Sequence, residues 1–165
     1  MANPSRSASR WPPPTYVVRV RFRAPLSFVF DWCTDYTAKD AELEGEGYER
    51  RVISRSKSEV VYEDLEDQDG GWFWTRHVVR LRRPRHWHSD SIGSHRAYSL
   101  DYDLTPLGPA ETELVLTAKR RPYGHGGPNP SKTSWERSVA KSWKHFAKFL
   151  ERDYRASRDK VSRTP

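Results

Sequence analysis

The chain has 165 residues and a formal net charge of +7, which suits one ordinary domain with a substantial core. No stretch approaches the roughly 20 consecutive apolar residues of a membrane span, and the polar N-terminus lacks the apolar block of a secretory signal. The single cysteine, Cys33, excludes an internal disulfide and a cysteine-based zinc site within one chain. Together these features predict a cytoplasmic protein.

Two features of the composition bear on function. The positive charge favours an acidic partner, but basic and acidic residues are interspersed along most of the chain, which is more typical of a solvated surface than of nucleic-acid binding. The chain also contains seven Trp, eight Tyr and six Phe. Such large rings can build a core or line a cavity.

The first elements follow a polar segment. Residues 1–14 include three consecutive prolines and predict a loose N-terminal arm. From Thr15 to Ala24, apolar and arginine residues alternate, which predicts a strand with one solvent-facing side. After Pro25, apolar residues recur at helical spacing as far as Tyr36 and predict a short helix. Residues 38–47 are rich in Glu and Gly and predict a broken second helix or a loop.

The next part of the chain has the character of strands throughout. Six segments rich in β-branched and aromatic residues are separated by turn residues such as those of Pro106–Pro109. Short connections between consecutive strands predict an antiparallel meander. The predicted strands are Tyr48–Ser56, Ser58–Leu65, Trp72–Leu81, His86–Ser91, His95–Thr105 and Glu111–Arg121.

A long helix is predicted to end the domain. Ser131 or Thr133 can cap its start, basic residues lie mainly away from its apolar stripe, and a polar tail follows from Ser157. The stripe consists of Trp135, Val139, Trp143, Phe146, Leu150 and Tyr154. We therefore predict an arm at 1–14, one domain at 15–157 and a frayed tail at 158–165.

This order of elements resembles the START-like superfamily, also called SRPBCC, which includes the birch-pollen-allergen fold and the polyketide cyclase/dehydrase families. The segment Phe22–Trp32, with its Ala-Pro junction, looks like the entry from the first strand into the first helix of that family. Tyr102–Gly108 followed by Glu111–Leu114 resembles the last hairpin of the family. The resemblance implies an α+β helix-grip fold, in which a curved antiparallel seven-stranded sheet surrounds a long C-terminal helix in the order β-α-α-β6-α.

In relatives, this fold encloses a cavity for lipids, sterols, polyketides or other apolar molecules, and the resemblance implies the same here. The aromatic and apolar side chains of the helix stripe and of the sheet agree with it, although simple core filling produces the same pattern. The predicted ligand-binding residues are Tyr62, His77, Tyr98, Tyr102, Trp135, Val139 and Trp143.

The sequence gives little indication of a metal site, a reactive cysteine or acid–base carboxylates. His86 and His88 share one strand face and could reach one metal ion, but no carboxylate stands at a recognisable spacing, so solvent-facing histidines are favoured. Cys33 lies on the apolar face of the first helix and is interpreted as a core residue. Asp101 and Asp103 could serve acid–base chemistry, but they lie opposite an apolar strand face, which favours exposure to water. We predict no cofactor, no metal and no catalytic residue.

The function predicted from the sequence is binding or transport of a hydrophobic small molecule in a cavity between the sheet and the C-terminal helix. One alternative is a cyclase- or hydrolase-like enzyme that uses His77 and tyrosines as acid–base groups. Another is an interaction module that binds RNA, the ribosome or an acidic protein through the arginines of the Arg76–Arg85 segment. Nucleic acid is possible as a partner but not favoured, and the protein is expected to be a monomer or a homodimer.

Overall fold

The computed structural model describes residues 15–44, 47–68, 71–94, 96–122 and 129–161. Its elements are β1 (Tyr16–Phe22), α1 (Leu26–Cys33), α2 (Asp40–Glu44), β2 (Tyr48–Arg55), β3 (Glu59–Gln68), β4 (Gly71–Arg82), β5 (His86–Gly93), β6 (Arg96–Gly108), β7 (Glu111–Pro122) and α3 (Lys132–Val161). The predicted arm at 1–14 and the last residues of the predicted tail, 162–165, lie outside the described residues.

The described strands form one seven-stranded antiparallel sheet in the order β1-β7-β6-β5-β4-β3-β2. Strands β2 to β6 each pair with the next strand along the chain, and β1 pairs with β7. The pairing register shifts after Val52 and after Pro106, and such irregularities bend a strand. The predicted meander and the α+β helix-grip architecture are confirmed.

Helix α3 lies along the edge strand β1 and also contacts α1 and α2. Two carboxylates of α3 bind backbone amides at this edge. The Val17 amide donates to Glu136 Oε1 at 2.8 Å, and the Arg23 amide, just after β1, donates to Glu151 Oε1 at 2.9 Å. These bonds hold the helix against the edge of the sheet.

The core lies between the sheet, α1 and α3. Its fully buried members include Phe22, Phe30, Trp87, Leu114 and Leu150. The rings of Phe30 and Trp87 meet edge to face with centroids 5.8 Å apart, which ties α1 to β5. A second group around Tyr16 and Leu116 continues the core beneath the first half of α3.

Two local predictions differ from the structure. The first helix ends at Cys33, and Tyr36 lies beyond it with φ of 42°. The helical spacing of apolar residues in the sequence extends to Tyr36, although the chain has already left the helix there. Strand β6 runs through Pro106 to Gly108, so the predicted turn is confined to Pro109 and Ala110. The register shift at Pro106 explains how a proline is accommodated there.

The extents of α2 and α3 also differ from the prediction. Residues 38–47 contain the five-residue helix α2. Helix α3 continues past the predicted end at Ser157 to Val161, where Arg and Lys side chains have good helix propensity. None of the helices among the described residues combines the length and the apolar character of a bilayer span.

Candidate functional site

Alternate residues of each strand point toward α3 and form the inner face of the sheet. One row of directly paired residues crosses this face, with Tyr62 on β3, His77 on β4, Ser91 on β5 and Tyr98 on β6. The rings of Tyr62 and His77 are stacked with centroids 4.4 Å apart. The row therefore brings together Tyr62, His77 and Tyr98, all of them predicted to bind a ligand.

A second contact joins predicted residues of the sheet and of α3. Tyr102 on β6 stacks on Trp87, its partner on β5, with ring centroids 4.6 Å apart. The Trp143 ring lies 6.0 Å from the Tyr102 ring and 6.2 Å from the Phe22 ring. Both Tyr102 and Trp143 are intermediate in exposure, so neither residue is completely covered by the core.

The other predicted residues of α3 lie at a different place. Trp135 packs on Tyr16, with ring centroids 4.7 Å apart, and Val139 belongs to the same group. Tyr16 is on the edge strand β1, whereas Tyr62 is on β3, beside the opposite edge. The predicted residues thus form separate groups across the inner face rather than one cluster.

A charged network adjoins the stacked pair of Tyr62 and His77. The guanidinium of Arg50 on β2 donates two hydrogen bonds to the Asp64 carboxylate on β3, at 2.8 and 2.9 Å. Arg50 also bonds to Asp40 of α2 and lies over the Tyr62 ring. The second oxygen of Asp64 is 3.6 Å from His77 Nε2. A buried arginine is thereby compensated by carboxylates, and one of them faces the imidazole.

Burial keeps the aromatic groups beside this network neutral. It lowers the pKa of His77 to about 4, against the opposing effect of Asp64, so the imidazole is uncharged at neutral pH. Burial also raises the pKa of Tyr62 and of Tyr36 well above their ordinary values. The Tyr36 ring stacks on Tyr62 with centroids 4.9 Å apart. His77 and the tyrosines can therefore donate or accept hydrogen bonds without carrying charge.

Two serines lie on the inner face of β5. Ser89 and Ser91 are 3% and 5% exposed, and neither hydroxyl has a hydrogen-bond partner among the described residues. Ser89 is paired with Val79 and Leu100, while Ser91 lies between His77 and Tyr98. The centre of the inner face is therefore polar, although its surroundings are apolar.

Sequence reasoning did not identify the charged network or the serine pair. Charged residues and serines are usually solvent-facing, so Arg50, Asp64, Ser89 and Ser91 were not considered. The alternation along the strands does indicate their direction. Asp64 is two residues from Tyr62 and lies on the same face of β3, and the two serines lie on the same face of β5 as Trp87. A polar residue at an inward position of an otherwise apolar strand face is the sequence pattern that identifies such residues.

The outer face of the sheet carries a ladder of histidines and aspartates. His88 Nδ1 lies 2.7 Å from an Asp101 oxygen, and His86 Nδ1 lies 2.9 Å from an Asp103 oxygen. Burial acts to lower the pKa of His88, but its hydrogen bonds with Asp101 and Asp90 raise it overall. Within the described part of the chain, no three His, Cys, Asp or Glu side chains are grouped as a metal site requires. The two histidines are engaged with carboxylates instead.

Three arginines of the segment predicted as an alternative interaction face are ion-paired. Arg76 forms an ion pair with Glu63, Arg80 with Asp90, and Arg83 with Asp31. These pairs join neighbouring strands or connect the sheet to α1, so the three arginines have structural partners. The ion pairs reduce the positive field that a nucleic acid would meet.

Two open grooves are lined by residues other than those predicted to bind a ligand. One, of about 540 Å³, runs between β1 and α3, and its lining includes Arg21, Glu113 and Lys148. The other, of about 490 Å³, lies at the end of α1 and includes Asp35 and Arg55. Both are lined mainly by charged side chains, and neither contains a predicted ligand-binding residue.

Comparison with known proteins identifies the fold. No protein-family model and no curated protein matches the sequence. Among solved structures, the chain is similar to the Zhui aromatase/cyclase from Streptomyces sp. R1128, with a TM-score of 0.66 and 14% identity over 86% of this chain and 93% of that one. It is also similar to a START superfamily protein from Mycobacterium smegmatis, with a TM-score of 0.62 and 15% identity over 86% and 97% of the two chains.

A third similar structure is that of Ara h 8.0201, with a TM-score of 0.64 and 10% identity over 83% of this chain and 97% of that one. Identities this low show a shared fold and leave the activity open. The chain has the START-like helix-grip fold, as the sequence predicted.

Proposed function

We propose that this protein binds a hydrophobic small molecule, such as a lipid or a polyketide, between the inner face of the sheet and α3. The observation that carries the proposal is the partial exposure of Tyr102 on the sheet and of Trp143 on the helix, whose rings lie 6.0 Å apart, together with that of Tyr98 on the same strand as Tyr102. Facing apolar surfaces that are not fully packed can accept an apolar molecule. The similarity to an aromatase/cyclase and to a START superfamily protein supports the same class of ligand.

The proposed contacts are the residues predicted from the sequence. Tyr62, His77 and Tyr98 would contact one part of the ligand, and Tyr102 with Trp143 another. Trp135 and Val139, which lie beside β1, would contact only a ligand that extends along α3. A cytoplasmic location, a monomeric or homodimeric state and the domain limits 15–157 remain predictions.

Binding of the neutral fluorophore N-phenyl-1-naphthylamine tests the proposal. We expect one molecule per chain, and we expect Trp143→Ala to weaken its affinity about threefold to tenfold, since one aromatic contact is lost. Trp72→Ala is the matched control, because Trp72 lies on the outer face and is 68% exposed. Circular dichroism checks that both variants keep the fold.

The proposal fails if the folded protein takes up no probe. It also fails if Trp143→Ala and Trp72→Ala change the affinity equally, because the probe would then bind outside the space between sheet and helix.

A second candidate function is acid–base catalysis on the bound molecule. The observation that favours it is the buried imidazole of His77 facing the Asp64 carboxylate at 3.6 Å. A neutral imidazole can accept a proton, and the carboxylate would stabilise the imidazolium that forms. Arg50, which donates to both oxygens of Asp64, fixes the position of that carboxylate.

Hydrolysis of 2-naphthyl acetate is a direct test of this candidate. We expect turnover that disappears in His77→Gln while N-phenyl-1-naphthylamine still binds. Equal hydrolysis by the native protein and by His77→Gln would remove His77 from any catalytic role.

A further inference from the structure

The hydroxyls of Ser89 and Ser91 are unexplained by the fold. Both are buried without a hydrogen-bond partner among the described residues, and an unpaired buried hydroxyl costs about 1–3 kcal/mol. Thr112 shows the usual arrangement, because its buried hydroxyl donates to the Ala24 carbonyl at 2.9 Å. Alanine would fill the serine positions almost equally well and avoid the cost. A group outside the fold that pairs with these hydroxyls would account for them.

Both serines are placed where a bound molecule could reach them. They occupy alternate positions of β5, the central strand of the seven that the structure describes. Longer side chains flank them on both neighbouring strands, Val79 and Leu100 beside Ser89, and His77 and Tyr98 beside Ser91. Because serine is shorter than these neighbours, the two hydroxyls would form the floor of any space above this part of the inner face. His77, Tyr98 and Leu100 are partly exposed, so solvent reaches the rim.

The chemistry of this floor is polar and uncharged. Each serine hydroxyl can donate one hydrogen bond and accept others, and a neutral imidazole offers one donor and one acceptor. The guanidinium of Arg50 is already bonded to the Asp64 carboxylate, so it is not a free cation for an ionised ligand. An oxygen that is neither cationic nor anionic fits these partners.

We propose that Ser89 and Ser91, with His77 at their side, bind an uncharged oxygen of the ligand, such as a phenol, an alcohol or a ketone. This inference rests on the proposed binding of an apolar molecule and specifies its polar end. The ligand then has an apolar ring or chain against Tyr102 and Trp143 and one neutral oxygen at the serines. An ionised carboxylate is disfavoured, because its desolvation would not be compensated by a cation.

Three small probes of similar size separate these possibilities, namely 2-naphthol, 2-methylnaphthalene and 2-naphthoate. Equilibrium dialysis measures the affinity of each for the native protein, for the double variant Ser89→Ala/Ser91→Ala and for Ser99→Ala. Ser99 lies at an outward-facing position of β6, where it pairs with Asp90 on β5 and Lys119 on β7. Its replacement therefore controls for the loss of a hydroxyl from a strand. Urea denaturation checks the folding of each variant, and we expect the double variant to be at least as stable as the native protein.

We expect the native protein to bind 2-naphthol about threefold to tenfold more tightly than 2-methylnaphthalene, which is the range of one or two neutral hydrogen bonds. The double variant should lose this preference and keep its affinity for 2-methylnaphthalene, while Ser99→Ala behaves like the native protein. An unchanged preference in the double variant, or tighter binding of 2-naphthoate than of 2-naphthol, would overturn the inference and leave the proposed function standing. Failure to bind any of the probes would contradict both.

Discussion

The neutral state of His77 connects the candidate site with the stability of the fold. Burial lowers its pKa from the ordinary 6.5 to about 4, so between these values the unfolded chain binds more protons than the folded one. The free energy of unfolding therefore rises with pH across this window. The contribution is complete above pH 6.5 and is lost as the pH falls toward 4, with an upper limit of about 3 kcal/mol.

Urea denaturation at several pH values measures this effect as a difference between proteins. We expect His77→Gln to remove much of the rise between pH 4 and 6.5, because glutamine does not titrate. His145→Gln is the control, since His145 lies on α3 and its Nε2 is 3.1 Å from the Leu43 carbonyl oxygen. Burial raises the pKa of Asp35 to about 6, which acts in the opposite direction in both proteins. Parallel curves for the native protein and His77→Gln would contradict the burial of a neutral imidazole.

Gly93 permits the close approach of β4 and β5 beside the serine pair. A Cβ added there would lie 2.6 Å from the Trp74 carbonyl oxygen and 2.5 Å from Thr75 Oγ1. We expect Gly93→Ala to destabilise the fold by about 1–3 kcal/mol, because the backbone must move. Gly108→Ala is the matched control, since its Cβ would have no neighbour within 4 Å. Equal midpoints in urea for the two variants would contradict this contact.

The direction of a single side chain was predictable from the sequence where an apolar or aromatic residue occupies an inward position of a strand. The inward direction of Tyr62 and Tyr102 follows from the alternation of apolar residues along their strands. Arg50 and Ser91 were missed because their partners, or the lack of partners, depend on which strands are neighbours. The pKa of His77 likewise requires the packing around the ring. Pairing across a sheet is information that no local stretch of sequence contains.

At the scale of elements, the strands were identified more reliably than their ends. Alternation over many residues survives an irregularity, so β6 was found although Pro106 suggested a turn inside it. The shortened α1 shows the reverse situation, because apolar spacing continued to Tyr36 after the helix had ended. Local patterns identify an element, whereas tertiary contacts decide where it stops.

Helix α3 and the edge strand β1 provide a test at this scale. Glu136 and Glu151 accept hydrogen bonds from the amides of Val17 and Arg23, so their removal leaves edge amides without these partners. We expect Glu136→Ala and Glu151→Ala each to lower the free energy of unfolding by about 1 kcal/mol. The glutamine variants keep an acceptor oxygen and should lose less. The idea fails if the alanine variants unfold at the same urea concentration as the native protein.

For the molecule as a whole, the topology was predictable and the filling of its interior was not. Short connections between strands favour an antiparallel meander, and the apolar stripe of the last helix requires a sheet to cover it. How closely the two surfaces meet depends on the summed volumes of many side chains. Trp135 illustrates this, because it packs beside β1 rather than with Tyr62. The helix lies toward one edge of the sheet, and no pattern in its sequence specifies that offset.

The charge of the whole molecule supports a final prediction. The net charge of +7 suggests affinity for nucleic acid, yet Arg76 and Arg80 are paired with Glu63 and Asp90. Paired arginines release few counterions when a phosphate approaches. We therefore expect binding of a fluorescein-labelled single-stranded RNA to be weak at about 50 mM salt and absent at about 200 mM salt.

Fluorescence anisotropy of that RNA also tests the cause of the weak binding. In Glu63→Gln/Asp90→Asn the two arginines lose their partners while the side-chain shapes are kept, so the affinity at about 50 mM salt should increase and depend more steeply on salt. Glu42→Gln/Glu49→Gln, at exposed positions on α2 and β2, changes the net charge by the same two units and controls for net charge alone. Tight binding by the native protein at about 200 mM salt would contradict the prediction, because paired arginines could not supply it. An equal increase in both variants would assign the effect to net charge rather than to the released side chains.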